Sequence, residues 1–204
     1  PADGRPMWYD KDGNITYQPN PVEDSEIYKD GLAEVNGGFG NTLSYKGLQL
    51  DVFFQFSFGK WAFANTDWYF TRTPDFFSNL DDRVMERWKE PGDVAYVPRA
   101  ATGGSVYQET SNYRTTLGTH SIYNASYIRL KNVKLSYSLP ASITDKLTLD
   151  NVRFFASGRN LVTWTDWPFY DPEVAASTTD IYGNLVAASY PTGMQVNAGI
   201  EISF

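Results

Sequence analysis

The chain is 204 residues long, enough for one or two domains, and 42% of it is hydrophobic, yet no apolar run approaches the ~18 residues of a membrane-crossing helix. A formal net charge of −7 argues against nucleic acid as a partner, because such a partner calls for a basic footprint. Cysteine is absent, which removes disulfide frameworks and thiol catalysis, and the opening Pro1-Ala2-Asp3-Gly4 does not read as an export signal.

Residues 1–36 are polar, rich in Pro, Gly, Asp and Asn, and show no sustained period, which predicts a loop. Within it, Asp10, Asp12 and Asn14 occupy the first three alternating positions of a calcium loop. Ile15 stands where that loop needs glycine and Pro21 where it needs its closing glutamate. An Asx-stabilised turn uses the same residues without a metal. Alternation begins at Phe39, with Leu43 and Tyr45 on its side and Gly40, Thr42, Ser44 and Lys46 on the other. After Gly47 the pattern sharpens: Leu48, Leu50, Val52, Phe54, Phe56 and Phe58 share one face. Gln49, Asp51, Gln55 and Ser57 share the other, with Phe53 the exception, and the tight Lys46-Gly47 link makes 37–58 a hairpin.

Residues 59–123 carry no strand-like alternation. Thr73-Pro74-Asp75 predicts a helix start, and Phe76, Phe77, Leu80, Val84, Met85 and Trp88 recur at helical spacing through to Lys89, before Pro91-Gly92. Asp81, Asp82 and Glu86, interleaved with Arg83 and Arg87, read as a solvated helix face rather than a glycosidase carboxylate pair. The one histidine, His120, has no neighbouring partner for a metal, and no nucleophile elbow occurs. No enzyme is predicted. Trp61, Phe63, Trp68, Tyr69 and Phe70 form a dense aromatic cluster in this segment.

A second hairpin is predicted over 124–164. In its first run Ile128 and Leu130 are apolar at even positions, whereas Val133, Leu135, Tyr137 and Leu139 are apolar at odd ones. A β-bulge at Lys131-Asn132 accounts for the slip. So does an extension in which Ile128 shares no common face with the rest. In the second run Val152, Phe154, Ala156, Val162 and Trp164 oppose Arg153, Ser157, Arg159 and Thr163, with Phe155 and Leu161 out of pattern. Residues 165–190 read as a loop opening on Trp167, Phe169 and Tyr170, and 191–204 as a terminal strand of unbroken alternation from Met194 to Phe204. Five strands result, joined by short, very long, short and long connections. Short turns on one rim and long loops on the other are the mark of an antiparallel transmembrane β-barrel, so the fold class predicted is all-β, a barrel segment with long extracellular loops. Tyr45, Tyr137 and Phe204 then lie at one rim and Phe58 and Trp164 at the other, as interfacial girdles require.

The stretches ASYIRLKNVKLSYSLP, VRFFASGRNLVTW and FYDPEV, together with LSYKGLQLDVFFQFSFG at 43–59, RWKEPGDVAYVPRA at 87–100 and a last strand ending on Phe204, resemble the C-terminal end of the SusC/RagA family of TonB-dependent outer-membrane transporters. The resemblance implies the last five strands of a barrel of about 22 strands. It places 1–36, 59–123 and 165–190 outside the cell, makes Phe204 a barrel-assembly signal, and puts the export signal, plug and TonB-contacting segment upstream. The implied function is energy-dependent import of oligosaccharides or peptides across the outer membrane of a Gram-negative bacterium, with a SusD-like surface lipoprotein, the TonB complex and outer-membrane lipid as partners. Neither cofactor nor metal is implied. Trp61, Trp68, Tyr69, Trp167 and Tyr170 become candidates for substrate or lid contact, although a self-packed loop core explains them equally. Arg153, Arg159 and Glu201 become lumen-facing, as substrate contacts or as wall ion pairs. A soluble extracellular all-β glycan-binding module and a passive porin-like channel are the alternatives.

On the barrel reading, five strands alone expose two sheet edges and a broad apolar face. Expressed by itself, the fragment is expected to aggregate or require detergent. A soluble monomer with a sharp thermal transition in detergent-free buffer overturns that reading.

Overall fold

The structure is a computed structural model that describes residues 3–26, 28–64, 82–95, 97–100, 119–173 and 191–204. The chain divides into two units. One takes in Pro1–Lys29 and Phe63–Tyr123; the other takes in Asp30–Ala62 and, from Asn124, the rest of the described chain.

The first unit holds a small hairpin where the sequence predicts only loop. Trp8–Tyr9 (β1) pairs antiparallel with Ile15–Thr16 (β2). Its turn is built by Asp10, whose Oδ1 accepts the backbone N–H of Asp12 at 2.9 Å and of Asn14 at 2.8 Å. Further along, Trp88 lies directly on Gly4, where a Cβ would come within 2.3 Å of the indole. The helix predicted through Lys89 is a correction. Within the described residues it appears only as a 3-10 turn, Asp82–Glu86, and its predicted start at 73–81 lies outside them. The chain turns immediately afterwards: Gly92 has φ 105°, and the Asp93 carboxylate accepts the N–H groups of Lys89 and Glu90. A carboxylate that gathers those amides ends the helix before its apolar period does.

The second unit is an antiparallel sheet of five strands in the order β3-β4-β7-β8-β9: Val35–Tyr45, Leu48–Phe58, Tyr127–Ser138, Asn151–Thr165 and Gln195–Ser203. Trp61–Phe63 (β5) and Ile122–Asn124 (β6) pair as a further two-stranded sheet. Among the described residues no helix is long and apolar enough to cross a membrane, which says nothing of strands. The strands run from 9 to 15 residues, at or above the ~9–11 that a tilted spanning strand needs.

Registration sorts the side chains into rows. Leu43, Leu50, Leu135, Ala156 and Ala198 stand side by side across all five strands. The adjacent row is Thr42, Asp51, Lys134, Ser157 and Asn197. Because successive side chains alternate across a strand, the first row lies on one face and the second on the other. The apolar face is bare: Leu43, Leu48, Leu135, Phe154, Val162 and Ile200 are all exposed.

The bulge reading of the phase slip is correct. The β4–β7 ladder passes from Asn132 to Leu130 and leaves Lys131 unpaired. The β7–β8 ladder skips Lys131 on one strand and Asn160 and Leu161 on the other. Asn160 takes the left-handed conformation, φ 52°, that such a bulge uses. The extra residues in β8 explain Leu161, whose side chain packs where a Cβ on Gly158 would sit, 2.6 Å away. Phe53 and Phe155 have a related cause. A Cβ on Gly38 would meet the Phe53 ring at 2.5 Å, and one on Gly199 would meet Phe155 at 2.7 Å. Each ring covers a glycine on the neighbouring strand, an arrangement that rescues an otherwise weak position. Strand β3 begins at Val35, ahead of the predicted hairpin, because Gly37 and Gly38 give the alternation no side chain to show.

At one end of the sheet the connections are tight. Lys46 and Gly47 both have positive φ, 48° and 85°, the signature of a type I′ hairpin turn. Between β7 and β8 the short helix Ala141–Thr144 (α1) makes the return. A Cβ at Gly47 would fall 2.7 Å from the Ser138 carbonyl oxygen. Gly47→Ala is therefore expected to destabilise by about 1–3 kcal/mol, the cost of a strained backbone position, and Lys46→Gly to be neutral or stabilising. Urea unfolding of the full-length protein in detergent checks both, and equal midpoints would refute the turn.

Candidate functional site

All the long connections leave from the opposite end of the sheet: the end of β4, the start of β7, the end of β8 and the start of β9. There the polar face carries a network of charges. Arg129, on β7, is only 3% exposed, and its guanidinium donates in three directions. Nη2 meets Asp171 Oδ1, Nη1 meets Glu173 Oε2 at 2.5 Å, and Nε meets Thr163 Oγ1 at 2.9 Å. Its neighbour on the same face, Lys131, reaches both Glu173 oxygens at 2.8 Å. The ring of Tyr127 lies 5.6 Å from the Arg129 guanidinium, and Gln55 donates to the Tyr127 hydroxyl at 3.3 Å.

Asp171 is as buried as its partner, 4% exposed. Besides Arg129 it accepts the N–H of Glu173 at 3.0 Å and the N–H of Thr192 at 2.9 Å. Burial pushes the carboxyl up, but the bonds from Arg129, Thr192 and Glu173 outweigh it and hold it below the usual carboxylate range. Arg129 and Asp171 lie 42 residues apart in sequence. The sequence carries a faint signal of the network: two cations at period two on a strand, and two acids at the same spacing in Asp171-Pro172-Glu173. Nothing in it pairs the two. Sequence reasoning accordingly passed over Arg129, Lys131, Asp171 and Glu173 as site residues.

The aromatic candidates separate. Trp167 is 4% exposed and packs edge-on against Phe169, centroids 5.1 Å apart, so it supports the segment rather than offering a contact. Tyr170 is 73% exposed and stands outward beside buried Asp171. Trp61 is half-buried in β5, its N–H bonded to the Asp30 carbonyl. Trp68 and Tyr69 lie outside the described residues. Just before β5, Lys60 is 4% exposed and its Nζ has no hydrogen-bond partner among the described residues; burial pushes its amine down to about 8.

On the polar face further along, Arg153 and Glu201 are cross-strand neighbours with Nη1 and Oε2 3.7 Å apart. Arg159 donates to Asn132 Oδ1 at 3.4 Å. Arg153 and Glu201 thus form a wide cross-strand charge pair, and Arg159 meets an amide oxygen. A shallow pocket of about 280 Å³ opens between β3, β4 and β7, floored by Phe53 and edged by Thr42, Asp51, Asn132 and Lys134. Phe204 closes the chain fully exposed beyond β9. As for Asp10, Asp12 and Asn14, the Asp10 carboxylate is engaged by the backbone of the other two, and among the described residues no group of acidic, histidine or cysteine side chains is placed to hold a metal.

Comparison with known proteins gives a consistent answer. No family model matches the chain. It is 31% identical to TonB-dependent receptor P3 of Formosa agariphila, over 98% of this chain and 19% of that protein. It is 29% identical to TonB-dependent receptor P26 of the same organism, over 90% of this chain and 18% of that one. Among solved structures it is similar to the RagAB peptide transporter, with TM-score 0.78 and 31% identity, over 100% of this chain and 21% of the other. The chain thus spans about a fifth of the length of the relatives it matches.

The buried network makes a prediction about pH. A carboxylate whose folded pKa is depressed stabilises fully above its unfolded value, about 3.9 for Asp, and loses that contribution as pH falls through the lower folded value. Asp171→Ala, in the full-length protein, should cost about 3 kcal/mol at neutral pH, because a buried guanidinium loses a partner. The gap between wild type and variant should shrink as the pH falls below about 3.9. Denaturant midpoints measured from neutral to acid pH check this; a gap that stays constant with pH contradicts it.

Proposed function

Because the chain belongs to the SusC/RagA family of TonB-dependent receptors, we propose that its five strands are part of the wall of an outer-membrane barrel that imports nutrient. The proposal extends to the last five of about 22 strands, closed through β3 and β9 onto the remainder of the protein, with Phe204 as the assembly signal. The long connections lie outside the cell and the tight turns face the periplasm. A SusD-like surface lipoprotein closes the mouth, and the TonB complex acts through the part of the protein beyond these residues. The cargo is an oligosaccharide or a peptide. The peptide is the better supported of the two, since the similar solved structures are those of a peptide importer and a peptide transporter.

The observation that carries this reading is the bare apolar face. All five strands present apolar residues outward in register, with nothing among the described residues to cover them, while the reverse face is lined with Arg, Lys, Asp, Asn and Ser. A soluble sheet does not leave a continuous apolar surface of that kind in water; a barrel wall in lipid requires it.

The test uses adjacent residues on opposite faces of β9. Ile200 is exposed on the apolar face and Glu201 sits beside Arg153 on the polar one. A lysine at Ile200 is expected to cost roughly 2–4 kcal/mol in folding of the full-length protein into bilayers, and Glu201→Lys much less. Equal costs, or a larger one at Glu201, would remove the lipid-facing assignment and favour the soluble glycan-binding module.

A further inference from the structure

The connection that leaves β8 and re-enters β9 is held at both ends by residues that the regular ladders skip. Lys131, left out of the ladders on both sides of β7, turns to Glu173 on the outgoing end. Asn160, left out of β8, donates its amide to the Gly193 carbonyl on the returning end at 3.2 Å. Between these two arms sits Asp171, with one carboxylate oxygen on Arg129 and the Glu173 N–H and the other on the Thr192 N–H. One buried side chain therefore ties the departing chain, the returning chain and strand β7 together.

We propose that Arg129 and Asp171 form a two-ended clasp, with the bulge residues Lys131 and Asn160 as its outer arms, that fixes where this connection leaves and rejoins the sheet. Arg129 is a positioning residue, acting through Asp171. Three physical points support the assignment. A buried ion pair adds little stability over well-packed apolar side chains, so its distinctive contribution is orientation. The guanidinium fork fixes direction as well as distance. The segment it holds is stiff, with Trp167 and Pro172 buried and Tyr170 left standing out. The bulges then have a purpose beyond sheet curvature, since each turns one residue of its strand toward a connection end. Resting on the importer reading, the consequence is that Tyr170 meets the surface lipoprotein from a single preset position.

The clasp is tested in the full-length protein by hydrogen exchange, followed by mass spectrometry, of peptides covering 167–173 and 191–195. Asp171→Ala should raise exchange at the amides of Glu173 and Thr192 together, by about tenfold or more, as expected when a local opening becomes easier. Asn160→Gly keeps the left-handed backbone and removes only the amide arm, so it should loosen the returning peptide alone. Protection in wild type should be the same at ~0.1 M and ~1 M salt, because a buried pair is little screened. Release of one end only in Asp171→Ala, or of neither, overturns the clasp. Should that variant fail to assemble, Arg129→Lys, which keeps the charge and loses the fork, must raise exchange at Glu173; unchanged protection there overturns it equally. Retention of the lipoprotein on the detergent-solubilised complex is read in the same variants, and a several-fold fall is expected. Full retention with both ends released overturns the positioning role. If wild type itself retains no lipoprotein, the importer reading has failed, and the exchange result decides the clasp alone.

Discussion

The hydrogen-bonded ladder that runs unbroken in order through β3, β4, β7, β8 and β9 is the constraint on which the second unit depends. Apart from the residues skipped at the bulges and the end of β8 beyond Arg159, it pairs three strands on both sides and two on one side only, and it assigns each side chain to one face or the other. From that follow the bare apolar face, the polar reverse face and the sorting of tight turns to one end and long connections to the other. On the proposed barrel reading, lipid completes such a sheet on one side and further strands complete it at its edges. Neither β3 nor β9 has a partner on its outer side within the described residues.

The polar face shows how far such a sheet departs from regularity where it holds something. Over most of its length the contacts are modest: Thr42 to Asp51, Arg153 to Glu201, Arg159 to Asn132. Such exposed or half-exposed pairs contribute little to stability. On this face, among the described residues, buried charge appears only beside the bulge, where the sheet accepts one unpaired residue on β7 and two on β8. The buried guanidinium belongs to a regular ladder residue, Arg129, and what the bulge adds is a further cation beside it, the part-exposed Lys131.

What the sequence disclosed and what it hid divide along physical lines. Strands β4, Phe53 apart, and β9 are legible because apolar residues on one face and polar ones on the other alternate. The bulge in β7 is legible as a change of phase. The bulge in β8 is not, since Asn160 and Leu161 are two residues and the alternation emerges from them in its original phase. Phe53 and Phe155 look like errors in the pattern until the glycines beneath them, on other strands, are known. The hairpin at Trp8–Thr16 is too short to show a period, and the helical spacing near Trp88 is overridden by the Asp93 turn. The Arg129 network is the extreme case. Its members are ordinary charged residues, and their pairing exists only once β7 and the end of β8 have been folded together.

The skipped residues of β8 carry a consequence for how this strand tolerates insertion and deletion. Loss of both Asn160 and Leu161 would leave every residue on either side facing as it does now, and would regularise the ladder with β7 apart from Lys131. Loss of one would invert everything on one side of the cut, turning Val162 and Trp164 to the polar face and Thr163 to the apolar one, unless the residue left behind is absorbed as a single-residue bulge of the kind Lys131 makes in β7. Length variation at this point therefore passes freely in steps of two, and in steps of one only through a bulge that restores the facing, a parity rule set by the pleat of the strand rather than by any side chain in it.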